Sequence, residues 1–182
     1  FIDAFFESTS GITTTGATVI ENLEAKSHGI LIWRALLQWL GGVGIIVMAL
    51  AVLPMLSIGG MQLFKTESYE TPDKVVPKAA SFAAGISIVY ITLTVIWAFM
   101  LWGAGMPIFD SIAHAMTTLA TGGYSTKSES LAAFNSSTIE IIIIFGMLVG
   151  SLPFVHYLAL TKNGMKNLIK DDQVKLFLTL VF

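Results

Sequence analysis

The stretch Met106–Thr126, MPIFDSIAHAMTTLATGGYST, decides how this sequence folds. It is too polar and broken to cross a membrane, and too apolar for a free loop. Pro107 suits the first turn of a helix, and Asp110 falls in that turn, where a negative charge complements the helix dipole. The run Ile108–Leu119 makes a helix about 18 Å long, which is about half the depth of a bilayer. It ends in Ala120-Thr121-Gly122-Gly123-Tyr124-Ser125-Thr126. A half-length helix followed by a glycine-containing extended stretch describes a re-entrant loop. Such backbone is tolerated at membrane depth only when buried in protein or lining a water-filled cavity.

The flanking sequence supplies the membrane part. Of 182 residues, 54% are hydrophobic and 12% charged, with a mean hydropathy of +0.77, whereas a soluble domain carries about 25% charged residues. A disordered chain, a basic nucleic-acid binder and an ordinary soluble globule are excluded. The net charge of −2 implies no polyanionic partner, and the absence of cysteine removes disulfides, thiolate metal sites and cysteine nucleophiles. Ala35–Phe64, Ala79–Phe109 and Ile141–Thr161 are uncharged runs of 30, 31 and 21 residues, each at or above the roughly 20 needed to span a bilayer. Three spans are expected, at about Ile30–Leu56, Ala79–Leu101 and Thr138–Leu160, with a fourth entered near Val174. The chain opens mid-pattern at Phe1 and closes within VKLFLTLVF, so it reads as a piece of something longer.

Orientation follows from the basic residues. The connections Ser57–Lys78 and Thr161–Lys175 lie on one side and hold seven of the ten Lys and Arg, so they are expected in the cytoplasm. The segments around residues 17–29 and 103–137 then lie outside. Trp33, Trp39, Trp97 and Trp102 fall mostly near span ends, as an aromatic belt requires.

The half-helix unit occurs twice. A gapless shift of 107 residues sets Phe1–Thr18 against Ile108–Ser125, pairing Asp3 with Asp110, Ile12 with Leu119, Thr14 with Thr121 and Gly16 with Gly123. The expected fold is therefore an all-α integral membrane protein of repeated helix–re-entrant loop–helix units. Residues 1–58 form the later part of one unit, 59–78 a cytoplasmic connection, and 79–160 a second unit. Residues 161–182 form a further connection and the start of the next unit.

Thr-x-Gly after a half-helix suits a monovalent cation, whose lost water is replaced by closely spaced backbone carbonyls. Glycine lets those carbonyls turn to a common axis, and the helix C-terminus directs partial negative charge at the ion. No carboxylate occurs within Thr13–Ala17 or Ala120–Tyr124, which favours carbonyl coordination. The candidate ion-binding residues are Thr13, Thr14, Thr15, Gly16 and Ala17 in one loop, with Ala120, Thr121, Gly122, Gly123 and Tyr124 in the other. Among other residues, Gly41, Gly42 and Gly44 favour close helix packing over a hinge, and Arg34 calls for a partner such as Glu7 or Glu21. His114 has only Asp110 at ligand spacing, too little for a metal site. No serine or threonine has a base–acid arrangement beside it, so no enzyme activity is expected.

Three segments, FFESTSGITTTGATVI (Phe5–Ile20), WRALLQWLGGVGIIV (Trp33–Val47) and LATGGYSTKSESLAAFNS (Leu119–Ser136), resemble the Trk/Ktr/HKT superfamily of cation transporters, in its bacterial Trk branch. The resemblance implies four such units around a potassium pathway in the bacterial inner membrane, of which two are present here. It implies a homodimer and a cytoplasmic nucleotide-binding regulatory ring of the TrkA type, with no cofactor and no nucleic acid. Gly16 and Gly123 take the filter-glycine role. Glycine rather than serine at Gly16 favours potassium over sodium. A sodium or mixed cation transporter, a non-conducting membrane scaffold and a membrane-embedded enzyme remain as alternative readings.

Overall fold

The computed structural model describes the backbone of residues 1–56, 75–152, 154, 157 and 172–181, and their side chains except at 45–56, 75–82 and 172. Six α-helices follow in order among the described residues, with no strand. They are α1 (Ile2–Ile12), α2 (His28–Leu56), α3 (Val75–Gly103), α4 (Ile108–Leu119), α5 (Ser137–Ser151) and α6 (Asp172–Val181), with 3-10 turns at Leu23–Ala25 and Ser130–Phe134.

Length separates the helices into two kinds. α2 and α3 each run 29 residues, about 43 Å, more than the roughly 30 Å of bilayer hydrocarbon. Among the described residues, Ala83–Gly103 is the one helical segment long and apolar enough to cross a membrane. Its exposed face carries Ile88, Ile91, Val95, Phe99 and Trp102, while Ile86, Tyr90, Trp97 and Leu101 are buried. A helix apolar on every side suits a bilayer on one face and protein on the other. α1 and α4, by contrast, are 11 and 12 residues long.

The core forms where α3, α4 and α5 meet, around Ile86, Tyr90, Leu101, Ala115, Leu119 and Ile143. α4 is buried along most of its length, including polar Asp110, Ser111, His114 and Thr117. α1 packs on α2 and leaves Ile2, Phe5 and Phe6 exposed. Two glycines let the long helices touch the ends of the short ones. At Gly41 of α2 the Ile12 carbonyl occupies the place of a side chain, and at Gly150 of α5 the Leu119 carbonyl does the same. Gly42 lies against Tyr90 and Ala120, so packing explains Gly41 and Gly42, whereas Gly44 faces open space.

Several expectations change. The third span, expected over Thr138–Leu160, is broken at Leu152, which turns extended at φ −77° and ψ 145°, the conformation favoured before a proline, while Phe154 and Tyr157 beyond it are again helical. α3 begins at Val75, inside the expected 59–78 connection. Trp39 and Trp97 are not belt residues: their indole N–H groups donate to Thr94 Oγ1 (3.0 Å) and the Ile142 carbonyl (3.0 Å). Trp33 and Trp102 are exposed as a belt requires. Residues 57–74 and 161–171, which hold most of the two expected cytoplasmic connections, lie outside the described residues.

The segments that follow the two loops are also joined. Ser128 donates its N–H (2.7 Å) and its hydroxyl (2.7 Å) to the Glu24 carboxylate. The Leu23 N–H donates in turn to Ser128 Oγ at 3.1 Å. The Ser128 bonds pull the Glu24 carboxyl down to about 2.

Two predictions follow from these contacts. Gly41→Val drives a side chain into the Ile12 backbone and should lower stability by about 1–3 kcal/mol. Gly44→Ala should leave it unchanged or raise it by up to about 1 kcal/mol, with both read as thermal midpoints in detergent. Because the Glu24 pKa is lowered by folding, its contribution is full above pH 4.5 and is lost as pH falls towards 2. Glu24→Gln should therefore show a smaller fall in thermal midpoint across that window than the unaltered protein.

Candidate functional site

The two candidate loops begin at the same kind of helix stop. α1 ends with Thr14 in the left-handed region at φ 56°, and α4 ends with Thr121 there at φ 52°. In the first stop the Thr14 N–H donates to the Gly11 carbonyl (3.0 Å) and the Thr15 N–H to the Ser10 carbonyl (2.9 Å). In the second, Thr121 donates to Thr118 (3.0 Å) and Gly122 to Thr117 (2.9 Å). These are the paired bonds of a Schellman motif, repeated at the 107-residue shift. A left-handed threonine is unusual because its branched side chain crowds the backbone. Two residues on, Gly16 and Gly123 adopt φ 79° and φ 83°, where glycine alone is at ease.

The loops meet at Gly16 and Gly122, the Gly122 carbonyl occupying the place where a Gly16 side chain would stand. From α2, the fully buried Gln38 grips the second loop. Its Nε2 donates to the Gly122 carbonyl (2.8 Å), and its Oε1 accepts the Tyr124 N–H (3.1 Å). The same amide fills the space beside Gly122 and leaves no room for a side chain there.

One turn before Gln38, Arg34 makes a buried ion pair from its Nε to Glu7 Oε1 at 2.7 Å. Glu7 also accepts from Thr18 Oγ1 (2.9 Å) and from the Val19 N–H (3.1 Å). Arg34 donates further to the Ser125 carbonyl (3.1 Å) and lies 4.1 Å over the Tyr124 ring. Tyr124 then reaches into the first unit, its hydroxyl 2.9 Å from the Glu7 carbonyl and 3.3 Å from the Ala17 carbonyl. Of the two partners weighed for Arg34, the structure selects Glu7. Removing one member of such a buried pair costs about 3–5 kcal/mol.

The second unit repeats the tether with other side chains. His114, at the position matching Glu7, places Nε2 3.1 Å from Ser125 Oγ, the match of Thr18. Its Nδ1 faces the Asp110 carbonyl at 2.8 Å, while the Asp110 carboxylate accepts from Thr126 Oγ1 at 2.7 Å. His114 and Asp110 thus serve the loop, and no group of three metal-ligating side chains occurs among the described residues.

The ten candidate residues therefore sit in two loops in contact, but their carbonyls differ. The Ala17 carbonyl accepts from Ser10 Oγ (2.6 Å) and the Gly122 carbonyl from Gln38. The other eight accept no hydrogen bond among the described residues. Sequence reasoning missed Gln38 and the reach of Tyr124. Arg34 and Gln38, four residues apart on one helix face at the start of an apolar run, were the available signal.

A family model described as TrkH, cation transport protein, matches residues 1–182. The Trk system potassium uptake protein TrkH of Salmonella typhimurium is 43% identical over 179 residues, covering 97% of this chain and 37% of that protein. TrkI of Halomonas elongata, also a Trk system potassium uptake protein, is 41% identical over 98% of this chain and 37% of its own length. The crystal structure of the potassium transporter TrkH from Vibrio parahaemolyticus superposes with a TM-score of 0.82 at 39% identity, covering 97% of this chain and 36% of that one. This chain spans a little over a third of the length of these relatives. It belongs to the TrkH family of cation transport proteins, which are membrane transporters and not enzymes.

Proposed function

We propose that this chain supplies two filter-bearing units of a potassium-uptake protein in the bacterial inner membrane. The carrying observation is the division of carbonyls. Eight of the ten candidate residues keep main-chain oxygens free of donors among the described residues, while Ala17 and Gly122 are used to brace the loops. A potassium ion sheds water only where oxygens already stand in its place, and backbone held from behind presents them without reorganising. The residues Thr13–Ala17 and Ala120–Tyr124 form two sides of that filter, entered from the outer face. The α1 and α4 C-termini add partial negative charge at its inner end.

The relatives named as potassium uptake proteins support potassium as the ion, and glycine at position 16 supports it over sodium. In the whole protein two further units complete the ring of oxygens. The transporter is a multi-pass homodimer with the connections Ser57–Lys78 and Thr161–Lys175 in the cytoplasm, where a nucleotide-binding ring of the TrkA type docks.

The test uses the complete gene product at matched membrane levels, with rubidium influx and potassium-limited growth as readouts. Gly16→Ser puts a side chain into the Gly122 carbonyl, and Gly123→Ser strains a backbone at φ 83° without a clash. Both should lower potassium-over-sodium preference, Gly16→Ser the more strongly. Unchanged influx and preference in both variants would remove the filter reading. Gln38→Leu leaves the Tyr124 N–H and Gly122 carbonyl without a partner, a loss of about 1–3 kcal/mol. It should cut selectivity by about tenfold or more, measured as the rubidium-to-sodium influx ratio.

A further inference from the structure

The two units superpose in sequence at two shifts. Half-helix and loop match at 107 residues. The long helices match at 109, because Gly41 meets Ile12 as Gly150 meets Leu119. A third contact agrees, with the sizes exchanged: Gly11 packs on Leu37, while Thr118 packs on Gly146.

These shifts locate the counterpart of the slot that Tyr124 fills. In the first unit Tyr124 is surrounded by Glu7, Gly11, Ala17, Arg34 and Gln38. Their counterparts are His114, Thr118, Tyr124, Ile143 and Met147. All five line one cavity of about 180 Å³ beside the second loop. A cavity of about 150 Å³ already accepts a benzene ring, so the space suits one aromatic side chain.

We infer that this cavity is the receptor for an aromatic ring on a third glycine loop, inserted as Tyr124 is inserted into the first unit. The relatives extend well beyond the stretch this chain matches, so a third unit has sequence to come from. A lipid tail is a poor occupant, because it would leave the loop carbonyls around Gly123 dry. The chemistry of the slot also specifies the ring. Ile143 replaces Arg34, so the ring meets an aliphatic chain instead of a cation, and the thioether of Met147 stands where Gln38 binds the Tyr124 main chain. The His114 carbonyl is already taken by Thr117 Oγ1 at 3.3 Å. Phenylalanine therefore serves as well as tyrosine, and no side-chain amide braces the incoming loop as Gln38 braces the second. The inference concerns how units join and does not depend on which ion passes.

The experiment places p-benzoylphenylalanine at Met147, and separately at exposed Ser130 on the cavity rim, in the complete gene product in native membranes. After irradiation, cross-linked peptides are identified by mass spectrometry, with light and heavy copies mixed to separate contacts within and between chains. The expected result from both positions is an intrachain adduct on, or next to, an aromatic residue directly after a glycine in a loop outside residues 1–182. Adducts confined to lipid, to residues 1–182 or to a second copy would overturn the inference, as would the absence of any protein adduct at both positions. Because the readout is a covalent contact, it stands or falls separately from ion uptake.

Discussion

The Gly122 carbonyl stands where a side chain on residue 16 would be, and the Gln38 amide holds it there. Everything else about the paired loops follows from that contact. Residue 16 must be glycine to admit the oxygen, and residue 122 must be glycine to admit the amide. Gln38 must be buried and uncharged, since it serves as donor to one loop atom and acceptor to another. A carboxylate could not donate to the carbonyl, and an aliphatic chain could do neither. The contact also ties the loops to α2, so the long helix of one unit fixes the loop of the next.

The two units reach one backbone shape through unlike side chains. Glu7 is anchored by Arg34 in the first, whereas its counterpart His114 leans on Ser125 and the Asp110 carbonyl in the second. The difference tracks burial. α1 packs chiefly on α2, and a charged pair with its added hydrogen bonds anchors it there. α4 is enclosed by α2, α3 and α5, where apolar packing holds the helix and neutral hydrogen bonds suffice. The repeat is therefore conserved in hydrogen-bond topology between its two copies more closely than in residue identity.

Much of this was legible in the sequence where a local signal had a local effect. α4 runs over Ile108–Leu119 as read, because proline marks its start and glycines follow its end. That Arg34 needs a carboxylate, Glu7 or Glu21, was legible because a charge in apolar surroundings has few other partners, and the structure chose Glu7. The break after α5 was missed because charge alone had set the span, and Pro153 lay inside an uncharged run. Trp39 and Trp97 were misjudged because distance along a helix does not say which face turns inward. The partners of Gln38 and of the Tyr124 side chain were illegible for a different reason. They lie 84 to 117 residues away, and no periodicity in one segment records which loop in another it will touch.

Energies decide what kind of interaction must hold the loops in register. A left-handed threonine costs on the order of 1–3 kcal/mol, and an ordinary intramolecular hydrogen bond contributes about 1 kcal/mol net. The two bonds that close each helix stop therefore roughly offset the strain of Thr14 or Thr121 and leave little over. Local structure can shape each loop but cannot align it with its neighbour. Alignment must come from contacts that cross between units: Gln38 to Gly122 and Tyr124, Arg34 to Ser125, and the Tyr124 hydroxyl to Glu7 and Ala17. Each joins main-chain atoms of one unit to another unit, so a shift of either loop breaks several at once. Such a framework keeps carbonyl oxygens spaced when no ion lies between them, and that spacing is what selection by size and hydration requires.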